Sequence, residues 1–162
     1  MNWLERTELL IKEEGIQKLQ NARVLIVGLG GVGGSAAEFI TRAGIGNLTI
    51  VDGDVVSLTN INRQLPALHS TIGKPKTEVV AERLLDINPA LNLTVINEFL
   101  SPERAWDIVT PDYDYVIDCI DSITPKLNLI LSSKRKRVKI VSCMGAGGAT
   151  DVSQIKVVDL MK

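Results

Sequence analysis

The chain has 162 residues, 45% of them hydrophobic, and 18 basic against 19 acidic side chains give a net charge of −1. These proportions are typical of one soluble folded domain, and they exclude a disordered chain and a whole-molecule attraction to nucleic acid. Cys119 and Cys143 provide neither a disulfide framework nor a zinc-binding CxxC pair. Because no signal peptide or membrane-spanning segment is apparent, we expect a cytoplasmic protein.

Helix-like and strand-like segments alternate along the chain, a pattern that predicts a parallel sheet covered by helices. A helical lead-in with an interruption near Gly15 is expected over residues 3–20. Short apolar runs predict strands at 23–27, 47–51, 92–96, 114–118 and 138–142, with a further strand at 154–158. Helices are predicted over 33–43, over 75–87, from Ser101 and from Thr124.

The predicted elements belong to one α/β domain without a linker. We expect a Rossmann-like, doubly wound fold, in which a mainly parallel sheet carries helices on both faces. Residues 1–21 would form the helical lead-in, and residues 22–162 would form the domain that contains the sheet.

The turn after the first predicted strand carries the glycine pattern of nucleotide-binding folds. It reads Gly28-Leu-Gly30-Gly31-Val-Gly33 and lies between a strand and a helix, the context that this pattern requires. Gly28 would permit the tight turn, Gly30 would let the backbone approach a phosphate, and Gly33 would let helix and strand pack closely. The helix start then offers unpaired N–H groups and a positive dipole end to an anion.

Charged residues after the glycine turn indicate which class of nucleotide the site would bind. Asp52 follows the second predicted strand and is placed to accept hydrogen bonds from ribose hydroxyls. These features alone do not separate NAD, FAD and ATP. Arg63 and Lys76 follow in a segment expected to return over the nucleotide, and cations there favour a triphosphate, whose leaving pyrophosphate needs neutralising. An NAD-dependent oxidoreductase has no such need.

Four motifs resemble the ubiquitin-activating-type, or ThiF-type, ATP-dependent adenylating enzymes. They are VLIVGLGGVGG, TRAGIGNLTIVDGDVVSLTNINRQ, GKPK and YVIDCIDS, and the resemblance spans essentially the whole chain. Within this superfamily, the segments RTELLI, AERLLDINP and VSCMGAGG most resemble the tRNA threonylcarbamoyladenosine dehydratases. The resemblance implies that residues 22–162 form an ATP-binding adenylation domain that activates a carboxylate.

The resemblance also implies roles for individual residues. Asp121, expected at the carboxyl end of the fourth strand, would bind Mg²⁺, which prefers oxygen ligands. Arg6 would reach the ATP phosphates of the partner subunit in a homodimer. The catalytic residues would be Arg6, Arg63, Lys76 and Asp121. The nucleotide would be bound by Gly28, Gly30, Gly31, Gly33, Asp52, Asp54, Asn60, Arg63, Lys76 and Asp121.

Three functions remain open at this point. The first is adenylation of the threonylcarbamoyl carboxylate of a modified adenosine in tRNA, followed by ring closure with loss of AMP. The second is activation of a ubiquitin-like sulfur-carrier protein, as in molybdopterin or thiamine biosynthesis, although the chain lacks CxxC pairs. The third is a non-catalytic ATP-binding module that acts as a partner of another protein.

The remaining chemical groups are less informative. Cys119 and Cys143 are expected to be structural, and the single histidine, His69, lies in a polar loop, so a Cys/His hydrolase is not supported. The basic run at 134–139 is expected to complement a helix dipole and to provide a local phosphate-binding patch for tRNA. Family members continue beyond the last residues of this chain, so the half that receives the acceptor is expected to be incomplete.

Overall fold

A computed structural model of the protein describes residues 3–145 and 150–160. Within them, the helices are α1 (Glu5–Asn21), α2 (Gly31–Ala43), α3 (Lys76–Ile87), α4 (Pro102–Ile108) and α5 (Ile123–Arg135). The strands are β1 (Arg23–Val27), β2 (Asn47–Val51), β3 (Asn92–Ile96), β4 (Tyr115–Asp118) and β5 (Lys139–Ser142). Short 3-10 turns cover Leu58–Asn60, His69–Thr71 and Val152–Gln154. Over the described residues, every helix is too short or too polar to cross a membrane.

The strands form one parallel sheet in the order β3-β2-β1-β4-β5. β1 is central. β2 and then β3 lie on one side of it, and β4 and then β5 lie on the other side. At the carboxyl end of β1, Val27 pairs in register with Val51 on one side and with Asp118 on the other. Doubly wound sheets bind ligands at this reversal of strand order, beyond the carboxyl ends of the strands.

The apolar side chains of the central strand alternate between two cores, one on each face of the sheet. Ile26 packs with Leu84 of α3, whereas its neighbour Leu25 packs with Leu129 of α5. All four are fully or almost fully buried, and burying such a side chain stabilises a fold by about 1.5–3 kcal/mol. α2 and α3 cover one face and α4 and α5 cover the other, which confirms the predicted Rossmann-like, doubly wound fold.

Most helix boundaries follow the signals in the sequence. α2 ends at Gly44, whose left-handed backbone (φ 98°) suits a residue without a Cβ atom. The Ser101 hydroxyl accepts a hydrogen bond from the Arg104 amide at 3.2 Å and so caps the start of α4. α3 begins directly after Pro75. The proline ring would clash with a preceding helical turn, so a helix is favoured to start at this point.

Two predictions about local structure are wrong. The interruption in α1 lies at Lys12 (φ 61°, ψ 173°) and not near Gly15, which stays helical because its missing side chain makes room for Ile11. The strand predicted over 154–158 is absent from the described residues, which place a 3-10 turn at Val152–Gln154. Asp151 accepts hydrogen bonds from that turn, and a segment without a neighbouring strand has no ladder to join.

α1 packs against the segment between α2 and β2. Leu4 is buried against Gly44, and a Cβ on Gly46 would overlap the backbone of Gln20. The amide of Gly46 donates to the carbonyl of Leu19 at 3.1 Å. These contacts attach the lead-in to the sheet, and the division of the chain into residues 1–21 and 22–162 stays a prediction.

A buried ion pair joins β4, α5 and β5. The Asp118 side chain is fully buried, and its Oδ2 accepts from Lys126 Nζ at 2.6 Å and from Ser142 Oγ at 2.5 Å. Asp118 Oδ1 accepts from the Ile120 amide at 3.0 Å, and Lys126 also donates to the Cys143 carbonyl at 2.8 Å. Each charge is therefore paired and makes at least two hydrogen bonds, the condition under which proteins tolerate buried ions.

We predict that Lys126→Met lowers the free energy of unfolding by about 3–5 kcal/mol, because it leaves the Asp118 carboxylate buried without its counter-charge. The double variant Asp118→Asn/Lys126→Met should recover most of this loss, since no unpaired charge remains. Urea denaturation measures both values. Arg104→Ala, which breaks a surface pair with Glu98, is the control and should cost less than about 1 kcal/mol. Equal losses in the single and double variants would contradict the prediction.

Candidate functional site

A cleft of about 670 Å³ lies beyond the carboxyl ends of β1, β2 and β4, where the strand order reverses. Its wall contains the glycine turn after β1, the acidic segment after β2 and the residues that follow β4. Of the residues predicted to bind a nucleotide, those in the wall are Gly28, Gly30, Gly31, Asp52, Asp54, Arg63, Lys76 and Asp121. The structure thus brings together residues separated by up to 93 positions in the sequence, as Gly28 and Asp121 show.

The glycine turn is held so tightly that side chains cannot be added at two of its positions. A Cβ on Gly33 would overlap the carbonyl oxygen of Gly28. Gly28 has φ 90°, and a Cβ there would lie 2.7 Å from the carbonyl oxygen of Cys119. At Gly30 the nearest neighbouring atom to an added Cβ, on Gln64, would be 3.7 Å away. Gly28 and Gly33 are therefore required by the fold, whereas Gly30 leaves space in the cleft.

α2 begins at Gly31, two residues earlier than predicted, so Gly33 lies within its first turn. The amides at the start of a helix have no intrahelical acceptor, and here they belong to Gly31, Val32 and Gly33. Gly31 and Val32 line the cleft. The helix start therefore presents N–H donors and a positive dipole end to the cleft, an arrangement that binds anions.

Asp52 links the glycine turn to the end of β2. Its Oδ2 accepts from the Leu29 amide at 2.6 Å, and its Oδ1 accepts from the Asp54 amide at 2.7 Å. Each carboxylate oxygen has a further lone pair, so Asp52 keeps the capacity to accept hydroxyl donors from a ligand. The carboxylate is fixed in place before any ligand arrives.

Lys76 is a buried cation at the start of α3. Its Nζ lies 2.8 Å from Asp54 Oδ2, and its amide donates to the Asp54 carbonyl at 3.0 Å. The Lys76 side chain is 6% exposed, whereas that of Asp54 is 52% exposed. Asp54 therefore orients the ammonium group toward the cleft, which is a positioning contact that the sequence did not assign.

Arg63 lies on the segment that crosses over the glycine turn, where its carbonyl oxygen would be 3.1 Å from a Cβ on Gly31. Its guanidinium donates to the Thr59 carbonyl at 3.1 Å and to Asn62 Oδ1 at 2.9 Å. Asn60 and Gly33 are the two predicted nucleotide-binding residues absent from the cleft wall, and Asn60 Oδ1 accepts from the Ser57 amide at 3.0 Å. Asn60 organises the turn that carries Arg63.

Sequence reasoning gave no role to Gln64 and Phe99, which both line the cleft. Gln64 is buried, and its Oε1, a hydrogen-bond acceptor, has no partner among the described residues. Phe99 is 73% exposed, and its backbone and ring lie within 2.7 Å of where a Cβ on Gly53 would be. Gln64 adjoins Arg63 in the motif NINRQ, so the sequence held a signal for it, whereas the contact between Phe99 and Gly53 has none.

Asp121 stands beyond the end of β4 with an exposed carboxylate that accepts a long hydrogen bond, 3.4 Å, from Ser122. Among residues 3–145 and 150–160, no group of three or more histidine, cysteine, aspartate or glutamate side chains can form a metal cage. Mg²⁺ is commonly held by one or two carboxylates together with phosphate oxygens and water. Asp121 fits that mode of binding and does not fit an all-protein metal site.

The two cysteines are neighbours at the ends of β4 and β5. Burial, together with the adjacent Cys143 thiol, raises the pKa of Cys119 to about 12. Cys119 therefore stays protonated at neutral pH, which disfavours a role as nucleophile. The predicted structural role of this residue agrees with its environment.

Two predicted groups lie away from the cleft. Arg6 is exposed on α1 and is absent from the cleft wall of its own chain. The basic run at 134–139 ends α5 and begins β5, at the amino-terminal edge of the sheet. The cleft lies at the opposite edge, so these cations do not surround it. The turn after β5 falls partly at 146–149, outside the described residues.

The profile of the ThiF family matches residues 4–159. The chain is 45% identical over 153 residues to tRNA threonylcarbamoyladenosine dehydratase of Haemophilus influenzae, covering 94% of this chain and 59% of that protein. It is 37% identical over 129 residues to molybdopterin-synthase adenylyltransferase of the same organism, covering 80% of this chain and 53% of that protein. The chain thus spans between half and two thirds of the length of these relatives.

Solved structures agree with this family. The crystal structure of Escherichia coli tRNA N6-threonylcarbamoyladenosine dehydratase matches with a TM-score of 0.94 and 42% identity, covering 99% of this chain and 67% of that chain. The same Escherichia coli enzyme in complex with ATP matches with a TM-score of 0.93 and 43% identity, covering 97% and 65%. Both are Rossmann-like α/β structures whose sheet corresponds to the one described above.

We predict that Gly33→Ala destabilises the protein by about 3 kcal/mol or more, because the new methyl group overlaps the Gly28 carbonyl. Gly30→Ala is the matched control, and it should change the free energy of unfolding by less than about 1 kcal/mol because its Cβ makes only an ordinary van der Waals contact with Gln64. Urea denaturation of both variants tests this. Similar losses in the two variants would show that the packing of the turn does not separate them.

Proposed function

The chain belongs to the ThiF family, and on that premise we propose that it binds ATP and activates a carboxylate as its acyl adenylate. The acceptor we propose is the threonylcarbamoyl carboxylate of a modified adenosine in tRNA. The observation that carries the proposal is the position of Arg63 and Lys76 beside the first turn of α2. Two cations and a helix start meet there in one cleft, which suits a polyphosphate.

The proposed contacts with ATP rest on where each side chain lies in the cleft and on the protein groups that hold it there. Asp52, already fixed by two backbone amides, would accept the ribose hydroxyls. The first-turn amides, Lys76 and Arg63 would bind the phosphates, and the side-chain NH₂ group of Gln64, which lines the cleft, would donate beside them. Asn60 would act by holding the turn that carries Arg63 rather than by touching the phosphates.

The proposed reaction has two steps. The carboxylate of the acceptor attacks the α-phosphorus of ATP, and pyrophosphate leaves with its charge stabilised by Arg63 and Lys76. The carbamoyl group of the same acceptor then attacks the acyl adenylate and displaces AMP, which closes the ring. No covalent intermediate with the enzyme is required, and the raised pKa of Cys119 is consistent with this.

Mg²⁺ is part of the proposal, with Asp121 as its protein ligand. Mg²⁺ would neutralise developing charge on the phosphate oxygens. Asp121 is suited to that task because it lines the cleft and carries no ion pair among the described residues, whereas Asp54 is committed to Lys76. The single carboxylate would leave most coordination positions to phosphate oxygens and water.

We also propose a homodimer in the cytoplasm, in which Arg6 reaches the ATP phosphates of the partner subunit. Support comes from α1, where Leu9 is 75% and Leu10 is 83% exposed, so that an apolar surface is uncovered beside Arg6. Most soluble oligomers are twofold dimers. Sedimentation velocity at micromolar concentration should show a dimer, and a monomer alone would contradict both the assembly and the role of Arg6 in trans.

The alternative acceptor is the carboxyl terminus of a ubiquitin-like sulfur-carrier protein. The similarity to molybdopterin-synthase adenylyltransferase supports it, at a lower identity and over less of the chain than the similarity to the dehydratases. A non-catalytic ATP-binding module is the third candidate. All three would bind ATP, so only an assay with the acceptor separates them.

We predict that ATP with Mg²⁺ raises the midpoint of thermal unfolding, because a ligand of the native state stabilises it, and that NAD does not. Lys76→Ala should weaken ATP binding about 10–100-fold, since one charge-assisted hydrogen bond contributes about 1.5–3 kcal/mol. Asn62→Ala is the control and should have a smaller effect, because Asn62 only orients Arg63. Stabilisation by NAD without stabilisation by ATP would refute the assignment.

We predict that modified tRNA, ATP and Mg²⁺ together release AMP and that the modified base loses the mass of one water. The protein is assayed by mass spectrometry with this tRNA or with a sulfur-carrier protein, both as this chain and in an extended form that has the length of the relatives. Formation of a carrier acyl adenylate with tRNA inert would establish the alternative. ATP binding without either reaction in the extended form would favour the non-catalytic module.

A further inference from the structure

Five cations follow one another at the end of α5 and the start of β5. We call this surface the basic edge, and its members are Lys134, Arg135, Lys136, Arg137 and Lys139. It lies at the end of the sheet where the parallel strands begin, whereas the nucleotide cleft lies beyond the carboxyl ends of the strands. The cations therefore cannot serve the phosphates of a nucleotide bound in the cleft of the same chain.

The simplest explanation of such a cluster is that its cations complement the negative end of the helix dipole. In this helix the last carbonyl groups are already satisfied by backbone amides. Those bonds run from Lys136 to Ser132 at 3.0 Å, from Val138 to Ser133 at 2.9 Å and from Arg137 to Lys134 at 3.1 Å. The side chains of the basic edge are therefore not needed as donors to these three carbonyl groups, and complementing the helix dipole leaves them able to bind an anion as well.

Carboxylates do not neutralise the basic edge either. None of the ion pairs among the described residues includes one of its five cations. Of the two carboxylates that precede β4, Asp112 pairs with the Arg23 guanidinium at 2.5 Å and Asp114 accepts from the Arg23 amide at 2.9 Å. Among the described residues, the five cations therefore form no ion pair with a carboxylate.

Two of the five cations are held against aromatic rings. Lys136 Nζ lies 4.3 Å from the centre of the Trp106 ring and donates to the Trp106 carbonyl at 2.5 Å. Lys139 Nζ lies 5.2 Å from the centre of the Tyr115 ring. Each of these two ammonium groups therefore already has an aromatic partner. Lys134, Arg135 and Arg137 are exposed and remain for contact with an anion.

Arg137 adds an independent observation. Its backbone is left-handed (φ 59°), and it occupies the position after a helix end where glycine is the usual residue. A side chain in this conformation carries a steric cost that glycine avoids. Lys12 is the one other non-glycine residue with a positive φ among the described residues. The chain therefore keeps an arginine where backbone geometry alone favours glycine.

We propose that the basic edge binds the phosphate backbone of the acceptor RNA, through Lys134, Arg135 and Arg137, at a surface separate from the nucleotide cleft. This inference rests on the proposed function, which makes RNA the acceptor. The contacts are to phosphates, since the three exposed side chains are cations and the phosphates are the anionic groups of RNA. They position the RNA without reading its sequence.

The test is the salt dependence of RNA binding. An unmodified tRNA transcript is titrated with the protein by fluorescence anisotropy over a series of KCl concentrations. The variant Lys134→Gln/Arg135→Gln/Arg137→Gln should bind more weakly, about 10-fold or more at low salt. The slope of log K against log salt should fall by about 2, because each lost phosphate contact removes about 0.7–0.9.

The charge-matched control removes three exposed lysines elsewhere, by Lys12→Gln/Lys18→Gln/Lys156→Gln. Its slope should stay close to that of the unmodified protein, and ATP should stabilise both triple variants equally. Equal slopes in the two triple variants would overturn the proposal, as would the absence of RNA binding at any salt concentration. If binding depends on the basic edge and no AMP is released with modified tRNA, the proposed function fails while the basic edge stands.

Arg137→Gly separates binding from folding. Because glycine accepts the left-handed backbone, the variant should raise the midpoint of thermal unfolding by about 2–4 °C while it weakens tRNA binding. A residue kept only for stability would show the opposite result, a lower midpoint with unchanged binding, and that result would count against the proposal.

Discussion

The close approach of Gly33 to the carbonyl of Gly28 is the constraint on which the cleft depends. It lets α2 begin immediately beyond β1, so that the first helical amides stand at the carboxyl end of the central strand. Cys119 closes the turn from the other side, where its carbonyl leaves no room for a side chain on Gly28. The position of the anion-binding helix start is thus set by backbone packing alone and needs no ligand to hold it.

Around this turn, each charged group has a protein partner that fixes its direction. Asp52 is bound by two amides, Lys76 by Asp54, and Asp118 by Lys126 beneath the floor of the cleft. Such partners reduce the reorganisation that binding a charged ligand would otherwise require. Buried charges are tolerated when they are paired and further hydrogen-bonded, and the contacts of Asp118 meet that condition.

The parallel sheet separates two kinds of positive charge. At the carboxyl ends of the strands, a helix start, Arg63 and Lys76 face an enclosed cleft. At the amino-terminal edge, the cations of the basic edge face solvent and have no carboxylate partner among the described residues. A small polyphosphate suits the first environment and an extended polyanion suits the second, because enclosure strengthens single contacts whereas exposed phosphate contacts act in number.

The sequence by itself determined the order of strands and helices, the glycine turn and the residue types in the cleft, because these follow from local periodicity and from motifs of fixed spacing. It did not determine that Lys126 neutralises Asp118, that Asp54 orients Lys76, or that Phe99 packs against Gly53. It also missed the lack of a partner strand for the run at 154–158. Each of these is a contact between segments distant in sequence, or the absence of one, and only the packing of the sheet and its helices decides which segments meet.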